Sequence, residues 1–267
     1  PRSRGLGDVY KRQAIDTAKA VANGACYDGD VWDLFDGKGR NTEVLPLGTV
    51  VTIPAAGSEM SDSCVITREE DLCKRGRNTP LNFPKFSILN PEFTYTLPPF
   101  QTACGVVDIM AHMMERYFTR VTHVELIDRM TEGALKTVVG NAPIVMHEPE
   151  NYDARAEIMW AGCLAHNTLL QTGRIGDWAS HKLEHELSAL YDIAHGAGLA
   201  IVFPAWMKYA LAHGGEAKLA QFAVRVFDVL ISGDDAADAA EGIRRLEAFY
   251  RSLGLTTTLT ENGIGDT

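Results

Sequence analysis

The chain lacks the features that mark several large protein classes. It has 5 cysteines among 267 residues, an odd number that is scattered and never in a CxxC spacing. This excludes a disulfide framework and a thiolate zinc site, and it favours a reducing cytoplasm. The formal net charge is −10 and there is no long basic run, so nucleic acid is not an expected partner. No apolar run approaches the ~18 residues of a membrane span, and no signal peptide is recognisable. Small molecules are the expected partners.

The two ends of the chain differ from the rest. Residues 1–13, PRSRGLGDVYKRQ, are rich in basic residues and precede a clean helical pattern that begins at Ala14. We interpret them as a foreign scar that is not part of the fold. The last residues, LTENGIGDT, end after a turn-like Asn-Gly without a closing element. We therefore interpret the chain as a fragment at both ends.

The first part of the chain has the pattern of an α/β region. AIDTAKAVANGA, from Ala14, has helical periodicity and meets Gly24 where a helix would stop. Residues 49–53 are continuously apolar apart from threonine, and SCVITREE and FSILNPEF are rich in β-branched and aromatic residues, as in strands. Residues 14–99 are therefore predicted to form a partial α/β domain.

Beyond Pro99 the apolar residues recur with helical periodicity, and the short connections between the helical segments contain glycine or proline. We predict an all-α domain over residues 100–267, with a ligand cleft between it and the α/β part. The predicted helices are residues 101–118, 123–139, 154–173, 178–191, 199–214, 219–230 and 239–254.

Histidines and one aspartate recur at ligand spacing. Asp108 and His112 are four residues apart in an apolar helical segment, and so are His181 and His185, while His195 follows in the turn-like DIAHGAG. Side chains four apart on a helix share a face. A buried carboxylate is costly unless a cation offsets the cost. Three imidazoles and a carboxylate, from two helices and a loop, suit Fe(II) or Zn(II); the alternative is a pair of polar helix faces.

The other histidines are predicted to have no role in this site. His123, His147 and His213 stand in polar or chain-end contexts, which predicts exposure. His166, in AGCLAHNTLL, is expected to be a hydrogen-bonded core histidine.

Several separated motifs resemble one family. GVVDIMAHMMERYF together with HKLEHELSALYDIAHGAGLAIVFP is similar to the metal-binding segments of iron-containing alcohol dehydrogenases, especially the NADPH-dependent butanol dehydrogenase branch. The resemblance extends over residues 14–267. It implies that Asp108, His112, His181 and His195 are metal ligands and that His185 is a catalytic residue on the substrate side.

The resemblance also assigns residues of the α/β part. TIPAAGSE resembles the family's small-residue turn beneath the cofactor, where backbone N–H groups can approach phosphate oxygens, which implies that Thr52, Ser58 and Lys74 contact the cofactor. AIDTAK resembles the helix after the glycine-rich pyrophosphate loop, making Asp16 a cofactor-binding and catalytic neighbour of the nicotinamide. The alternative for Asp16 is a first-turn aspartate favoured by the helix dipole.

The glycine-rich loop itself does not precede Ala14. We therefore expect this polypeptide to have lost most of its cofactor affinity, together with the residues that distinguish NAD from NADP.

The activity that the resemblance implies is hydride transfer between a primary alcohol or aldehyde and NAD(H) or NADP(H), with Fe(II), or Zn(II), as Lewis acid and His185 as proton relay. A homodimer is also implied. One rival is a metal-dependent hydrolase with Glu184 or Glu186 as general base, although HKLEHE does not fit the HExxH spacing. A second rival is a non-catalytic metal-binding module.

Overall fold

The computed structural model describes residues 12–265 except 69 and 72, with side chains from residue 14 onward. The predicted foreign segment, residues 1–13, lies outside the described residues apart from the backbone of residues 12 and 13, which begins the first helix. Within the described residues the predicted fold class is confirmed: a small α/β part is followed by an all-helical part. The boundary between two domains near Pro99 stays a prediction.

Over its described residues, the α/β part contains two α-helices and two separate pairs of strands. Helices α1 (Arg12–Gly24) and α2 (Val31–Phe35) precede strands β1 (Gly48–Val51), β2 (Ser63–Arg68), β3 (Cys73–Asn78) and β4 (Phe86–Leu89). β1 and β4 are parallel, with Gly48 opposite Phe86, whereas β2 and β3 form an antiparallel hairpin with Ser63 opposite Asn78. Packing of α1 on β2 joins the hairpin to the rest of this part.

Three strands and the first helix were predicted from the sequence, but two elements were missed. β3 has the sequence CKRGRN, and none of its residues is buried, so no apolar alternation marks it. α2 has only five residues inside a polar loop, and its start is a side-chain cap in which Asp30 accepts a hydrogen bond from the backbone N–H of Trp32.

The helical part contains all seven helices that the periodicity predicts. They are α3 (Pro99–Tyr117), α4 (Glu125–His147), α5 (Tyr152–His166), α6 (Ala179–Tyr191), α7 (His195–Ala212), α8 (Glu216–Phe227) and α9 (Asp235–Ser252).

Helix α3 is the centre of the helical part. From Ala103 onward its apolar residues are buried on every side, including Val106, Ile109, Met110 and Met113, because α4, α5, α6 and α7 all pack against it. A helix that is apolar all round is a buried helix. Polar side chains on α3 therefore face protein rather than solvent, which is the environment of Asp108 and His112.

No helix in the described part of the chain combines the length and apolar character that a membrane crossing requires.

Candidate metal centre

Three helices bring the four predicted ligands to one point. Asp108 and His112 lie one turn apart on α3, His181 lies in the first turn of α6, and His195 is the first residue of α7. The prediction that His195 lies in a turn-like loop was wrong: the segment His-Gly-Ala-Gly begins a helix. Its two glycines suggested a turn, but both lie where α7 begins in close contact with its neighbours.

The Asp108 carboxylate is at the middle of the cluster. Its Oδ1 lies 3.7 Å from Nε2 of His181 and 3.6 Å from Nε2 of His195. Nδ1 of His112 lies 3.2 Å from the same oxygen and 2.9 Å from the backbone oxygen of Asp108, so Nε2 is the His112 nitrogen that would bind an ion. Ligand atoms at about 2.1 Å from a tetrahedral metal ion are about 3.4 Å apart. Donor atoms of Asp108, His112 and His181 all lie within 4.8 Å of one another, and all three residues are buried. One carboxylate and three imidazoles at these separations fit a divalent transition metal.

Two buried glutamates orient the histidines from behind. Oε1 of Glu115 lies 3.0 Å from Nδ1 of His181 and accepts a second hydrogen bond, also 3.0 Å, from the backbone N–H of His181. Glu184 bonds Nδ1 of His195 through Oε2 and accepts the Ser188 hydroxyl through Oε1. A carboxylate on Nδ1 fixes the ring so that Nε2 presents its lone pair, and it makes the imidazole more basic.

The two glutamates follow one spacing that the sequence analysis missed. Each lies three residues after a predicted ligand on the same helix, Glu115 after His112 and Glu184 after His181. Each glutamate contacts the ligand histidine of the following ligand-bearing helix: Glu115 of α3 contacts His181 of α6, and Glu184 of α6 contacts His195 of α7. The signal that could have found them is a glutamate inside a helical stretch otherwise suited to burial; both have at most 2% exposure.

The carboxylates also set the protonation of His181 in the metal-free chain. Burial by itself lowers the pKa of this imidazole, but the neighbouring carboxylates of Asp108 and Glu115 outweigh burial and leave the pKa above its ordinary value. Glu115 thus holds the His181 ring through Nδ1, whereas Asp108 faces Nε2 at 3.7 Å, the separation of two ligands rather than of a hydrogen bond.

Two glycines let α7 approach the centre. A Cβ on Gly196 would lie 2.2 Å from the carbonyl oxygen of Cys104 on α3, and one on Gly198 would lie 2.6 Å from Oε1 of Glu184. Both distances are too short for a side chain, so glycine at these positions allows His195 and Glu184 to reach the cluster.

A cavity of about 590 Å³ opens beside the cluster, between the β2–β3 hairpin and helices α3 and α6. His112, His181 and His185 line it. The ring of His185 is partly exposed, and its centroid lies 5.5 Å from that of His195. His185 thus stands at the open side of the cluster rather than inside it. Arg116, His166 and Trp178 also line the cavity.

The remaining histidines separate into two groups. His123, His147 and His213 are exposed. His166 is buried, and it also lines the cavity, with its ring 4.4 Å from that of His112.

The structure brings together two of the four predicted cofactor residues. The Ser58 hydroxyl donates to Oδ1 of Asp16 at 2.6 Å, and the backbone N–H of Val65 donates to Oδ2 at 3.0 Å. Lys19, which the sequence analysis missed, donates from the same helix to the Ser58 hydroxyl at 3.0 Å and to the carbonyl oxygens of Ser58, Ser61 and Ser63 at 2.7 to 3.0 Å. These bonds tie the small-residue turn to α1.

Thr52 and Lys74 belong to different strand pairs of the α/β part, Thr52 at the end of one and Lys74 within the other. Thr52 follows β1 and is exposed, while Lys74 is partly exposed on β3, opposite Thr67. Their roles in cofactor binding stay predictions.

Comparison with known proteins gives two consecutive family matches. A family model described as "Iron-containing alcohol dehydrogenase" matches residues 13–91, and one described as "Fe-containing alcohol dehydrogenase family, C-terminal" matches residues 102–267.

Individual relatives agree with these matches. The chain is 47% identical over 253 residues to the probable NADH-dependent butanol dehydrogenase 1 of Bacillus subtilis (strain 168), and 38% identical over 255 residues to the NADPH-dependent aldehyde reductase YqhD of Escherichia coli (strain K12). Each alignment covers 94% of this chain and 65% of the relative. The crystal structure of NADH-dependent butanol dehydrogenase A from Thermotoga maritima matches with a TM-score of 0.90 and 40% identity, over 96% of this chain and 63% of that one. The chain thus spans about two thirds of the length of these relatives.

Proposed function

This chain belongs to the iron-containing alcohol dehydrogenase family, and from that premise we propose that it is a metal-dependent oxidoreductase that transfers hydride between a primary alcohol or aldehyde and a nicotinamide cofactor. The observation that carries the proposal is the convergence of four donor side chains from three helices, with the histidine Nε2 atoms of α6 and α7 at 3.7 and 3.6 Å from the carboxylate of Asp108. The relatives named as dehydrogenases and reductases support it.

Asp108, His112, His181 and His195 would hold Fe(II) or Zn(II). When bound, such an ion supplies Lewis acidity to the oxygen of an alcohol or aldehyde. The surrounding residues provide a mostly dry site: His112 is inaccessible and His181 is buried, and the glutamates behind them keep the rings in place. A rigid, water-poor donor set strengthens electrostatic interactions within it.

His185 is the proposed proton relay. An imidazole can gain and lose a proton near neutral pH, and this one stands at the cavity next to His195, partly open to solvent. In alcohol oxidation it accepts the hydroxyl proton and passes it to water, and in aldehyde reduction it returns one. Hydride moves between the carbinol carbon and the nicotinamide.

NADH or NADPH is the proposed cofactor, since relatives with either dependence are known. Thr52, Ser58, Lys74 and Asp16 are the proposed contacts. The hydrogen bond between Ser58 and Asp16 supports a firmly positioned turn, and it engages both of these side chains in the absence of cofactor.

The hydrolase alternative has no support. Glu184 bonds His195 and Ser188 and is fully buried, so it is not available as a general base, and Glu186 is exposed. Primary alcohols or aldehydes are the proposed substrates, a homodimer the proposed assembly and the cytoplasm the proposed compartment.

The test is metal binding together with turnover. The full chain is loaded anaerobically with Fe(II) or Zn(II), its metal content is measured, and reduction of butanal is followed with NADH and with NADPH. We expect one metal ion per chain and, at a nicotinamide concentration high enough to offset the weak cofactor affinity expected above, cofactor oxidation that requires the metal. His112→Ala should lose both, whereas the matched exposed variant His213→Ala should keep both. Metal binding without any nicotinamide oxidation would favour a non-catalytic metal-binding module.

A further inference from the structure

The cavity beside the candidate metal centre contains a buried cation. Arg116 is on α3 one turn after His112, and it has only 2% exposure although it lines the cavity. Its guanidinium carbon lies 4.5 Å from the centroid of Trp178, which itself lines the cavity.

The hydrogen bonds of Arg116 account for little of its donor capacity. One nitrogen, Nη1, donates to the backbone oxygen of His112 at 2.8 Å. Its Nε is buried and has no hydrogen-bond partner among the described residues. By contrast, the equally buried Arg174 forms a 2.6 Å ion pair with Asp128. Within the described part of the chain Arg116 has no such carboxylate.

The cavity wall offers Arg116 no carboxylate at ion-pair distance among the described residues, and Asp62 and Glu115 act on it only through space. Lys182 also lines the cavity, and Asp62 is the one carboxylate among the described lining residues. The carboxylates of Asp108 and Glu115 are close by but are engaged by imidazoles. With a divalent ion held by Asp108, this region would be still more positive.

A buried cation without an ion pair is costly, on the order of several kcal/mol. A carboxylate entering the cavity would offset that cost, and a guanidinium suits it because the two can form parallel hydrogen bonds.

We propose that Arg116 binds the carboxylate of a short ω-oxocarboxylate or ω-hydroxycarboxylate substrate whose aldehyde or hydroxyl oxygen lies at the cluster formed by Asp108, His112, His181 and His195. The substrate class rests on the function proposed above. The Trp178 ring contacts both ends of this site, since its centroid is 5.4 Å from that of the His181 ring and 4.5 Å from the guanidinium carbon of Arg116.

The carboxylate takes no part in the reaction. The aldehyde carbon of the ω-oxocarboxylate accepts hydride from NADH or NADPH and its oxygen accepts a proton, which gives the ω-hydroxycarboxylate and the oxidised cofactor. Arg116 would therefore be a specificity-determining residue rather than a catalytic one.

Binding of matched alcohols tests the proposal without turnover. The full chain loaded with Zn(II) is titrated calorimetrically with 4-hydroxybutanoate and with 1-butanol, which have the same length and the same hydroxyl but differ in charge. Hydrogen bonds to charged groups contribute about 1.5–3 kcal/mol, so we expect at least 10-fold tighter binding of the anion. Arg116→Gln should abolish that difference and Arg116→Lys should retain part of it. Arg129→Gln, which removes the same charge from an exposed ion pair with Glu125 on α4, should not change it.

Equal affinity of the native chain for the two alcohols would overturn the proposal even if the Arg116 variants do not fold. An anion preference that survives in folded Arg116→Gln would overturn it as well. Turnover of butanal and 4-oxobutanoate with nicotinamide cofactors is measured separately: absence of both activities contradicts the proposed function, whereas the calorimetric difference still decides whether Arg116 is an anion site.

Discussion

His185, Glu115 and Glu184 are not predicted ligands, but they occupy two different kinds of position around the candidate metal centre. His185 stands at the cavity, while Glu115 and Glu184 are sealed behind the ligand histidines. Substitutions at the two kinds of position should therefore have different effects, one on proton transfer and the other on metal affinity.

For His185 we expect a loss of turnover with intact metal binding. His185→Gln removes the proton relay, and general acid–base catalysis contributes about 10²-fold or more to rate, so kcat for butanal reduction should fall by about that factor. Steady-state kinetics and metal analysis of the same preparation measure the two effects. His147→Gln, which changes an exposed histidine of α4, is the control. Unchanged kcat in His185→Gln would rule out the relay.

For Glu115 we expect weakened metal binding as the primary effect. Glu115→Gln removes the negative charge that orients His181, and such partners of ligand histidines are worth about 10- to 100-fold in metal affinity. A competition titration with Zn(II) measures the loss, and the visible absorption of the Co(II)-loaded protein reports altered ligand geometry. Glu132→Gln is the matched control, because Glu132 is also buried but bonds Tyr117, Gln221 and Arg225 instead of a histidine. Equal losses in both variants would indicate a general effect on folding.

At the scale of secondary-structure elements, the helices were predictable and part of the sheet was not. The seven long helices bury one face or all faces, so apolar periodicity marks them. Strand β3 buries nothing and is held by pairing with β2, which leaves no trace in its own sequence. The start of α7 was missed for a different reason: His-Gly-Ala-Gly has low helix propensity, but close packing against α3 and Glu184 requires the glycines.

The candidate site also has a part that the sequence predicts and a part that it does not. The spacing of Asp108 and His112, and the density of histidines near His181, are visible in the sequence. Which carboxylate serves which histidine depends on how α3, α6 and α7 are arranged in space, so the role of Glu115 and the place of Arg116 could not be predicted from spacing alone.

An ionic network joins helices α4 and α8 and gives a prediction on stability. Asp128 on α4 pairs with Lys218 on α8 at 2.5 Å and with Arg174 at 2.6 Å. Burial raises the pKa of Asp128, but hydrogen bonds with Lys218 and Gln221 and the nearby charges outweigh it, so its pKa lies below 3.8. Because the pKa is lower in the folded state, the stabilisation is present above the unfolded value and is lost as pH falls through the folded value.

Asp128→Asn should therefore lower the free energy of unfolding by about 3 kcal/mol at pH 7, because it leaves the buried Arg174 and the partly exposed Lys218 without their carboxylate. The deficit relative to the native chain should be constant from pH 8 to pH 5 and should shrink below pH 3.8. Urea denaturation at several pH values measures it. Asp228→Asn, which removes an exposed partner of Lys136 between the same two helices, should cost less than about 1 kcal/mol. A similar loss in both variants would contradict the assignment.

At the scale of the whole molecule, the four ligands are far apart in the chain, from Asp108 to His195, and belong to three helices. A metal ion that binds only the folded chain stabilises it by about 4 kcal/mol at a concentration 1,000 times its dissociation constant. We expect saturating Zn(II) to raise the melting temperature by about 10 °C and a chelator to reverse the rise. Calorimetric melting of the native chain, of His112→Ala and of His213→Ala measures it. A rise of the same size in His112→Ala would show that the ion acts elsewhere.

The close approach of Gly196 to the backbone of Cys104 has a consequence for how this protein tolerates genetic variation. One added methyl group there would push the first turn of α7 outward and take His195 with it, although no donor atom has been altered. A screen for inactivating substitutions should thus recover Gly196→Ala together with substitutions of the ligands themselves. A homologue that keeps all four ligands would therefore not be active on that ground alone.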